Sequence, residues 1–392
     1  MTTRQVITLW ILAAILGAAV ATIKLTRHQP PLEAGARQRG APLLDRFPAS
    51  EVASIQIGDA AQSTTLALTD GKWSVAERGN YPASVAKIAE LLRTLIDLEV
   101  TQAIPAQPES FSRFQLASDG PGRGTTLVFR NAAGAELANI VLGKRLGDDA
   151  ASDPLGMGTT AGRFVRITTD PAAVYVVGKA FGQLTSNPHE WLDDTFIQVE
   201  KIRSVNAARP ADPAFQAWSL TRSDENSDFS LTDAPPATAL NPSATTPIKS
   251  ALLSPSFVDV VPAAEAAAVL DSPQAWDFVV ETFEGLTYTL RLAPLTAEGA
   301  GDNAEAEYLM RVAVTGTLPG ERAKAPNEPA EATEQLDAAF AERLAILNAK
   351  LEMNKRLAGR AFRVTRWNVE ALIKTRQDLI APAPAPSAPA NP

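Results

Sequence analysis

The sequence contains no cysteine and only two histidines, His28 and His189, in 392 residues. The absence of cysteine excludes disulfides, thiolate metal sites and a cysteine nucleophile. Two histidines are too few for a histidine-rich metal site or a proton relay, and only His189 falls within a predicted domain. It follows Asn187-Pro188, where an ordinary loop or cap residue is expected. The sequence therefore predicts no metal and no cofactor.

Positive charge is scarce and is not clustered. Lysine and arginine number 36 against 44 aspartates and glutamates, which gives a formal net charge of −8. Proteins that bind nucleic acid draw much of their affinity from clustered lysine and arginine beside phosphates. We therefore expect no nucleic-acid partner.

Aromatic residues are also few, at 6% of the chain, although 45% of all residues are hydrophobic. Much of the apolar content is consequently alanine. It still suffices for cores in two domains, which is what roughly 150 residues per domain would predict for this length. The 29 prolines indicate long loops.

One long hydrophobic run stands out, at residues 6–23. It has about 18 uncharged residues, and a helix of that length is close to the thickness of the bilayer core. We predict a single-pass transmembrane anchor at residues 1–28, inserted in the inner (cytoplasmic) membrane through residues 6–23. A cleaved signal peptide is the alternative, because Ala19-Val20-Ala21 resembles a cleavage motif, but signal-peptide hydrophobic regions are usually shorter.

The orientation of this anchor has two interpretations. Lys24 and Arg27 after the run outnumber Arg4 before it, so the positive-inside rule would keep the body of the protein in the cytoplasm. A very short N-terminal segment with Arg4 and its own amine instead favours staying inside, which places the body in the periplasm. We predict the periplasmic orientation.

Two segments have the composition of flexible connections. Residues 29–42 contain Pro30-Pro31, glycines and arginines, and predict a linker. Residues 381–392 alternate alanine and proline, which predicts a disordered, polyproline-like tail.

The pattern of residues 44–105 returns, with few identities, at residues 192–262. In the first copy, short alternating strands are joined by Asp70-Gly71, a strong signal for a type I′ hairpin turn. A helical stripe over residues 85–95 and a strand ending at Pro105 follow. In the second copy, residues 202–205 match 54–57, residues 218–220 match 66–68, and residues 229–231 match 73–75. A helix and a strand ending at Pro262 complete the copy.

The later parts of both halves match as well. Hairpins turn at Gly134 in the first half and at Glu284-Gly285 in the second, and two further strands follow each hairpin. We predict an α+β fold, a tandem duplication of a mostly antiparallel sheet-plus-helix unit preceded by one N-terminal transmembrane helix. The first repeat covers residues 43–185 and the second residues 186–380. The alternative is that two similar patterns arose by chance.

The second repeat carries a helical insertion around residues 329–358. Leu336, Phe340, Leu344, Leu347 and Leu351 have helical spacing and predict a long amphipathic helix. Such a helix either packs on its own domain or binds a partner. If its apolar face is exposed, Phe340, Leu344 and Leu347 are the candidate partner-binding residues.

Motifs that could support catalysis have simpler structural interpretations. Residues 120–124, Gly-Pro-Gly-Arg-Gly, resemble a phosphate-binding loop, but a Walker loop continues with Lys-Ser/Thr into a helix. We expect a flexible hairpin connection. The acidic residues Asp148, Asp149 and Asp153 lack the spacing of a calcium loop, and we expect solvated charges.

Pairs of carboxylates could perform acid and base catalysis, as in glycosidases. Asp193 with Asp194, and Glu281 with Glu284, are examples, but adjacent residues on a strand point to opposite faces. No Gly-x-Ser-x-Gly nucleophile motif is present. The sequence therefore favours a protein that is not an enzyme and has no catalytic residues.

Several short segments resemble the family of the domain of unknown function DUF4340, as does the N-terminal hydrophobic run. The segments are residues 68–73, 81–82, 140–144, 174–177, 282–286 and 362–379. Most are turn and core features, and they supply no functional residues. The resemblance extends over nearly the whole chain. It implies a membrane-anchored envelope protein linked to ABC transporter permeases or to gliding-motility-type auxiliary components, which also agrees with export of the body.

Three functions remain to be distinguished. The first is an extracytoplasmic accessory or scaffold protein that binds a membrane protein partner, an ABC permease or auxiliary component. The second is an envelope hydrolase that uses scattered carboxylates, and the third is a structural spacer. A converging, partly buried cluster of carboxylates favours the hydrolase, whereas an apolar groove favours partner binding.

Overall fold

A computed structural model describes residues 36–146, 162–170, 173–235, 238–295, 306–322, 324 and 328–382. The predicted anchor at residues 6–23, the acidic residues Asp148, Asp149 and Asp153, and residues 383–392 of the predicted tail lie outside these ranges. Across the described ranges, none of the helices combines the length and the apolar composition that a membrane crossing requires.

The chain forms two compact units. Within the described residues, the first unit ends at Trp191, and the main part of the second unit begins at Leu192. Residues Arg78–Pro82 belong to the second unit, although the chain before and after them belongs to the first.

Within the described residues, the first half of the chain is mainly antiparallel sheet with one regular helix, α1 (Val85–Ile96). Short 3-10 helices occur at Ala49–Glu51, Ala76–Arg78, Pro108–Phe114 and Pro188–Trp191. The strands in chain order are β1 (Val52–Gly58), β2 (Ser63–Thr69), β3 (Lys72–Val75), β4 (Tyr81–Pro82), β5 (Val100–Pro105), β6 (Thr125–Asn131), β7 (Glu136–Arg145), β8 (Arg163–Ile167) and β9 (Ala173–Val177).

Hydrogen-bonded strands in the first unit follow the order β3-β2-β1-β6-β7-β8-β9-β5, and neighbours run antiparallel. The turn between β2 and β3 is the predicted Asp-Gly turn, with φ of 50° at Asp70 and 74° at Gly71. Positive φ at both central residues is what a type I′ turn requires.

The second half has the strands β10 (Ile202–Ala208), β11 (Trp218–Thr221), β12 (Ser230–Leu231), β13 (Asp259–Val261), β14 (Trp276–Thr282), β15 (Leu286–Leu295), β16 (Glu307–Gly316) and β17 (Ala361–Thr365). Its helices are α2 (Pro242–Thr245), α3 (Ala263–Leu270), α4 (Ala330–Lys355) and α5 (Arg366–Val369), with a 3-10 helix at Thr246–Ser250. The two largely antiparallel sheets with their helices confirm the α+β class.

The second sheet has the order β12-β11-β10-β14-β15-β16-β17-β13, again with antiparallel neighbours. Strand by strand, this is the order of the first sheet. Even an irregularity recurs: the register between β1 and β6 shifts between Val52 and Ser54, and that between β10 and β14 shifts between Ile202 and Ser204.

This pairing corrects two of the sequence matches. Val52 corresponds to Ile202 by the shared irregularity, so residues 202–205 match 52–55 and not 54–57. Leu66 pairs with Ile55 as Leu220 pairs with Val205, so residues 218–220 match 64–66 and not 66–68. Both matches were wrong by two residues, a shift that keeps every side chain on the same face of its strand.

Both faces of the first sheet are buried in its central part. Ile140, Val141 and Leu142 are consecutive on β7 and all are buried, although alternate residues face opposite sides. Val141 packs with Phe111 from the 3-10 helix at Pro108–Phe114. Helix α1 buries a stripe that includes Ile88 and Leu95. Burial on both faces explains the continuous apolar run of β9.

The predicted linker at residues 29–42 is partly structured. The amide of Gly40 donates to the carbonyl of Val100 at 2.8 Å, and the amide of Val100 donates to the carbonyl of Ala41 at 2.9 Å. Arg37 bonds to Asp170 at 3.2 Å. The first unit therefore includes residues 37–42, since these backbone groups find partners at the start of β5.

Candidate functional site

The first unit contains a cleft beside α1, which we name the α1 cleft. Lys87, Leu91 and Thr94 line one wall, and Phe181 and Trp191 belong to the other. Residues four and three apart on a helix share a face, so the wall is one continuous stripe of α1. The cavity volume is about 570 Å³, which is within the range of sites that hold small molecules or side chains of a partner.

Hydrogen bonds fix both walls of the α1 cleft. The amide of Ser84, just before α1, donates to the carbonyl of Trp191 at 2.8 Å. The indole Nε1 of Trp191 donates to the carbonyl of Thr185 at 2.9 Å. Lys87 Nζ donates to the carbonyl of Glu190 at 2.5 Å. These bonds hold the start of α1 against the segment that ends at Trp191.

The chemistry of the α1 cleft is that of an amphipathic binding site. Leu91 and Trp191 are buried, with 6% and 4% of their surfaces exposed, and form an apolar floor. The charged residues at the cleft are two lysines and two glutamates: Lys87, Lys179, Glu90 and Glu190. An apolar floor with charges of both signs suits a peptide segment with an apolar anchor and a polar backbone.

A second cavity of about 300 Å³ lies beside the glycine-containing turn at residues 120–124 of the first unit. We name it the glycine-turn pocket; Asp59, Gln115, Arg123, Gly143 and Arg163 are among the residues that line it. Arg163 Nε donates to the carbonyl of Gly143 at 2.6 Å. The Gly-rich segment and the end of β7, which are distant in the sequence, therefore meet here.

The turn at residues 120–124 is packed and is not the flexible connection that we predicted. The amide of Gly124 donates to the carbonyl of Ala117 at 3.2 Å, and the amide of Ala117 donates to the carbonyl of Gly122 at 3.1 Å. A Cβ on Gly124 would lie 2.6 Å from the carbonyl oxygen of Leu142. The glycine is needed for a close approach of backbones, and not for cradling a nucleotide.

Asp59 is the acidic residue of the glycine-turn pocket. Burial raises the pKa of its carboxyl, but hydrogen bonds from the Ser186 hydroxyl and from the amides of Gln62 and Ala61 outweigh burial, and Arg123 adds a favourable charge. The net shift of the pKa is downward, and the carboxylate is charged at neutral pH.

The long helix predicted around residues 329–358 is present as α4, but its apolar face from Phe340 to Leu351 packs on its own unit, whereas Leu336 is exposed. Phe340 and Leu344 are half-buried, and Leu347 is only 7% exposed. The expectation that Leu347 could be an exposed partner-binding residue is therefore wrong, because this side of the helix covers apolar surface of the second sheet. Leu351 of the same stripe is also buried and lies near Gly316 of β16.

Polar contacts also hold α4 on the second unit. Asn354 Nδ2 donates to the Tyr288 hydroxyl at 3.2 Å, and Lys350 Nζ bonds to Glu200 at 3.0 Å. Burial raises the pKa of Tyr288 to about 12, the charge of Glu200 adds to this, and the bond from Asn354 partly offsets it. The phenol is neutral at physiological pH and acts as a packing and hydrogen-bonding residue.

The carboxylates considered for catalysis have structural partners of their own. Glu281 accepts a hydrogen bond from the Ser204 hydroxyl at 2.9 Å on an exposed strand position. Glu284 is buried in the adjacent turn, with its side chain 5% exposed, and pairs with Arg343 of α4. Asp193 accepts from the amide of Thr195 at 2.8 Å. In the ranges that the structure describes, no group of three or more acidic or histidine side chains could hold a metal ion.

His189 lies in the 3-10 helix Pro188–Trp191, and its ring contacts Glu190 at 3.1 Å. The residues of the α1 cleft were not predicted from the sequence. Trp191 is two residues after His189 at the end of the first unit, and Phe181 is in an irregular segment with φ of 53°. A tryptophan in a proline-containing loop was the available signal.

Comparison with known proteins identifies one family. The family model described as Domain of unknown function (DUF4340) matches residues 73–273, about half of the chain. This confirms the resemblance inferred from the short segments. No curated protein and no solved structure matches the chain.

Proposed function

The chain belongs to the DUF4340 family, and from this premise we propose that it is a membrane-anchored, extracytoplasmic accessory or scaffold protein that binds a membrane protein partner through the α1 cleft. The α1 cleft is the observation that carries the proposal. Hydrogen bonds hold Lys87 and Trp191 in its walls, and binding to a site that is already held in place loses less conformational entropy than binding to a flexible one.

The proposed partner is a membrane protein of the envelope, an ABC transporter permease or auxiliary component. The proposed ligand at the cleft is an extended or loop segment of that partner. An aliphatic or aromatic side chain would bury itself against Leu91 and Trp191. Lys87 and Glu90 beside this floor would contact polar groups of the segment. Association energy concentrates in such buried anchors.

We predict that Thr94→Arg abolishes partner binding. Thr94 lines the cleft, and a long charged side chain there would fill the cavity without removing any packed group. Ala89→Arg is the matched control, because Ala89 is exposed on the same helix and is not part of the cleft. The measurement is quantitative co-purification of membrane proteins with the full-length chain from detergent-solubilised membranes. We expect at least a tenfold loss for Thr94→Arg and no loss for Ala89→Arg.

Two outcomes would contradict this proposal. If both variants retain the same partner, the cleft is not the binding site, and if no membrane protein co-purifies specifically with the wild type, the spacer function gains support. Both variants must keep the wild-type thermal melting profile for the comparison to be valid.

The anchor has its own test. We predict that the full-length chain pellets with membranes and resists carbonate extraction, because residues 6–23 are long and apolar enough to span. A chain that begins at residue 36 should be soluble. It retains residues 37–42, whose backbone bonds to the start of β5 belong to the first unit. Recovery of a soluble product that begins near Thr22 would instead show a cleaved signal peptide.

We also propose that the two units arose by duplication of one sheet-plus-helix unit. The shared strand order and the recurrent register shift beside Ser54 and Ser204 support this. The long helix α4 is then an addition to the second unit, where it covers the sheet. The α1 cleft belongs to the first unit alone.

A further inference from the structure

We propose that the second unit binds an extended, uncharged peptide segment of a partner protein at the edge of its sheet, independently of the α1 cleft. The site is a cavity of about 330 Å³ beside the outermost strand, β12. We name this cavity the edge slot; Phe229, Leu231, Thr238, Leu240 and Thr246 are among the residues that line it.

The edge slot lies beside a strand that has a counterpart in the first unit. When the two sheets are matched by their shared irregularity, the register of β12 on β11 is the same as that of β3 on β2. Phe229, one residue before β12, then has the position of Trp73 in β3. The group that bonds to Trp73 in the first unit therefore shows what this edge can pair with in the second.

The segments that return to these edge strands correspond as well. Ser84 is the N-cap of α1, and Asn241 is the N-cap of α2. The amide of each cap residue donates to a carbonyl near the end of its own unit, at 2.8 Å for Ser84 and 2.9 Å for Asn241. The residues just before the caps, Ala83 and Leu240, therefore have the same position in their units.

Only in the first unit does this segment bond to the edge strand. The amide of Ala83 donates to the carbonyl of Trp73 at 2.9 Å, and Ala83 is only 2% exposed. In the second unit the corresponding groups are the Leu240 amide and the Phe229 carbonyl, which bond neither to each other nor to another described residue. Both residues instead line the edge slot.

The backbone of β12 is oriented to pair with an added strand. The amide of Thr232 donates to the carbonyl of Ser219, directly opposite on β11, at 2.9 Å. Successive residues of a strand direct their backbone groups to opposite edges, so those of Phe229 and Leu231 point away from β11. The Leu231 carbonyl accepts from Ala234 at 3.3 Å. An added strand can therefore bond to the Phe229 carbonyl and the Leu231 amide.

The lining of the edge slot suits an uncharged segment with small side chains. Phe229 supplies apolar surface, and Thr238 and Thr246 add hydroxyl groups. Asp228 is the one charged residue among the described residues of the lining, and it bonds to Lys249 at 2.8 Å. A volume of about 330 Å³ is at the low end for binding sites, so it accommodates backbone with small side chains. Peptides that add a strand to a sheet edge gain affinity from such main-chain bonds.

The test is fluorescence anisotropy of a labelled, end-blocked peptide titrated with the full-length chain in detergent. The peptide is Gly-Asn-Thr-Pro-Ala-Ser-Val, which is residues 79–85 with threonine in place of the bulky Tyr81. Its alanine copies Ala83, whose amide bonds to the corresponding edge in the first unit. We expect saturable binding with one site per chain, because the edge of the first unit is already covered.

Two changes should each weaken binding at least tenfold. Methylation of the alanine nitrogen in the peptide removes the donor to the Phe229 carbonyl, and this comparison uses the wild-type chain. Thr246→Arg places a long charged side chain in the edge slot. Ser250→Arg is the matched control, since Ser250 is exposed on the same 3-10 helix and does not line the slot. Thr94→Arg should bind the peptide as the wild type does, which separates the edge slot from the α1 cleft.

The proposal is overturned if the wild type shows no saturable binding, or if the methylated peptide binds as well as the unmodified one. It is also overturned if Thr246→Arg and Ser250→Arg bind the peptide equally. Deletion of residues 383–392 should leave the affinity unchanged. A severalfold rise on this deletion would assign the slot to the chain's own tail, and an affinity that falls with protein concentration would assign it to a second copy. Either result would exclude a partner segment as the occupant.

Discussion

Replacing Phe362 with alanine is expected to destabilise the second unit by about 4 kcal/mol, because the substitution leaves a large cavity in a close-packed core. Phe362 is fully buried on β17. Its ring centroid lies 4.8 Å from that of Phe196, 5.3 Å from that of Phe257 and 5.9 Å from that of Tyr81. Edge-to-face and tilted aromatic pairs add about 0.5–1.5 kcal/mol each to the burial of apolar surface.

Tyr81 connects this aromatic cluster to polar groups of the same unit. Its hydroxyl donates to the carbonyl of Thr195 at 3.3 Å, and the guanidinium of Arg360 lies 5.3 Å from its ring centroid. Burial raises the pKa of Tyr81 well above its usual range, and the charge of Asp193 acts in the same direction. The phenol is therefore neutral at physiological pH, and the contacts of Tyr81 with Thr195 and Arg360 oppose a shift of its ring into the space that Phe362→Ala would create.

Trp367→Ala is the matched control for Phe362→Ala. Trp367 is five positions further along the chain and is 65% exposed, so its truncation should change the free energy of unfolding by about 0.5 kcal/mol or less. Thermal melting followed by circular dichroism measures both variants. We expect the transition of the second unit to fall by about 10 °C for Phe362→Ala. Equal melting temperatures for the two variants would contradict the packing described for β17.

Replacing Gly143 with alanine is expected to destabilise the first unit by about 3 kcal/mol, because the added methyl group overpacks a backbone contact. The new Cβ would lie 2.8 Å from the Leu116 side chain and closer still to the carbonyl oxygen of Phe114. A backbone carbonyl cannot rotate away as the end of a side chain can. The 3-10 helix at Pro108–Phe114 would have to separate from β7.

Gly182→Ala is the matched control for Gly143→Ala. A Cβ on Gly182 meets no atom within 4 Å, and its φ is not positive. The substitution should leave stability unchanged or raise it by about 0.5 kcal/mol through a less flexible unfolded chain. Urea unfolding with fluorescence detection measures the difference. A stable Gly143→Ala variant would mean that the close approach of β7 to residues 114–116 is relaxed in solution.

Local sequence signals predicted the single hairpins well. Asp70-Gly71 requires positive φ at both residues, and few other residue pairs tolerate that conformation, so the turn could be assigned without any tertiary information. The helix of residues 330–355 could also be predicted from the sequence, because apolar residues from Leu336 to Leu351 recur with the helical period over about four turns.

The residue-by-residue match between the strands of the two halves was not predicted correctly from the sequence. A strand shifted by two residues presents the same face, so the alternation of faces alone does not choose between Val52 and Ser54 as the match for Ile202. The hydrogen-bonded pairing of the strands established which residues correspond, because the register shifts at the same place in both sheets, after Val52 in the first and after Ile202 in the second.

The candidate binding residues depended most on the tertiary structure. The spacing of Phe340, Leu344 and Leu347 predicted a helix with one apolar face. The same spacing is typical of a helix that packs on its own domain and of a helix that binds a partner. The tertiary structure distinguishes the two, because Leu347 is buried where α4 lies on the second sheet. Phe181 and Trp191 carry no periodic signal, and Arg123 and Arg163 are forty residues apart. The sequence by itself determined the elements, the turns and the α+β class, because these follow from interactions between residues near each other in the chain. The α1 cleft and the glycine-turn pocket follow from contacts between distant segments, which only the folded sheet brings together.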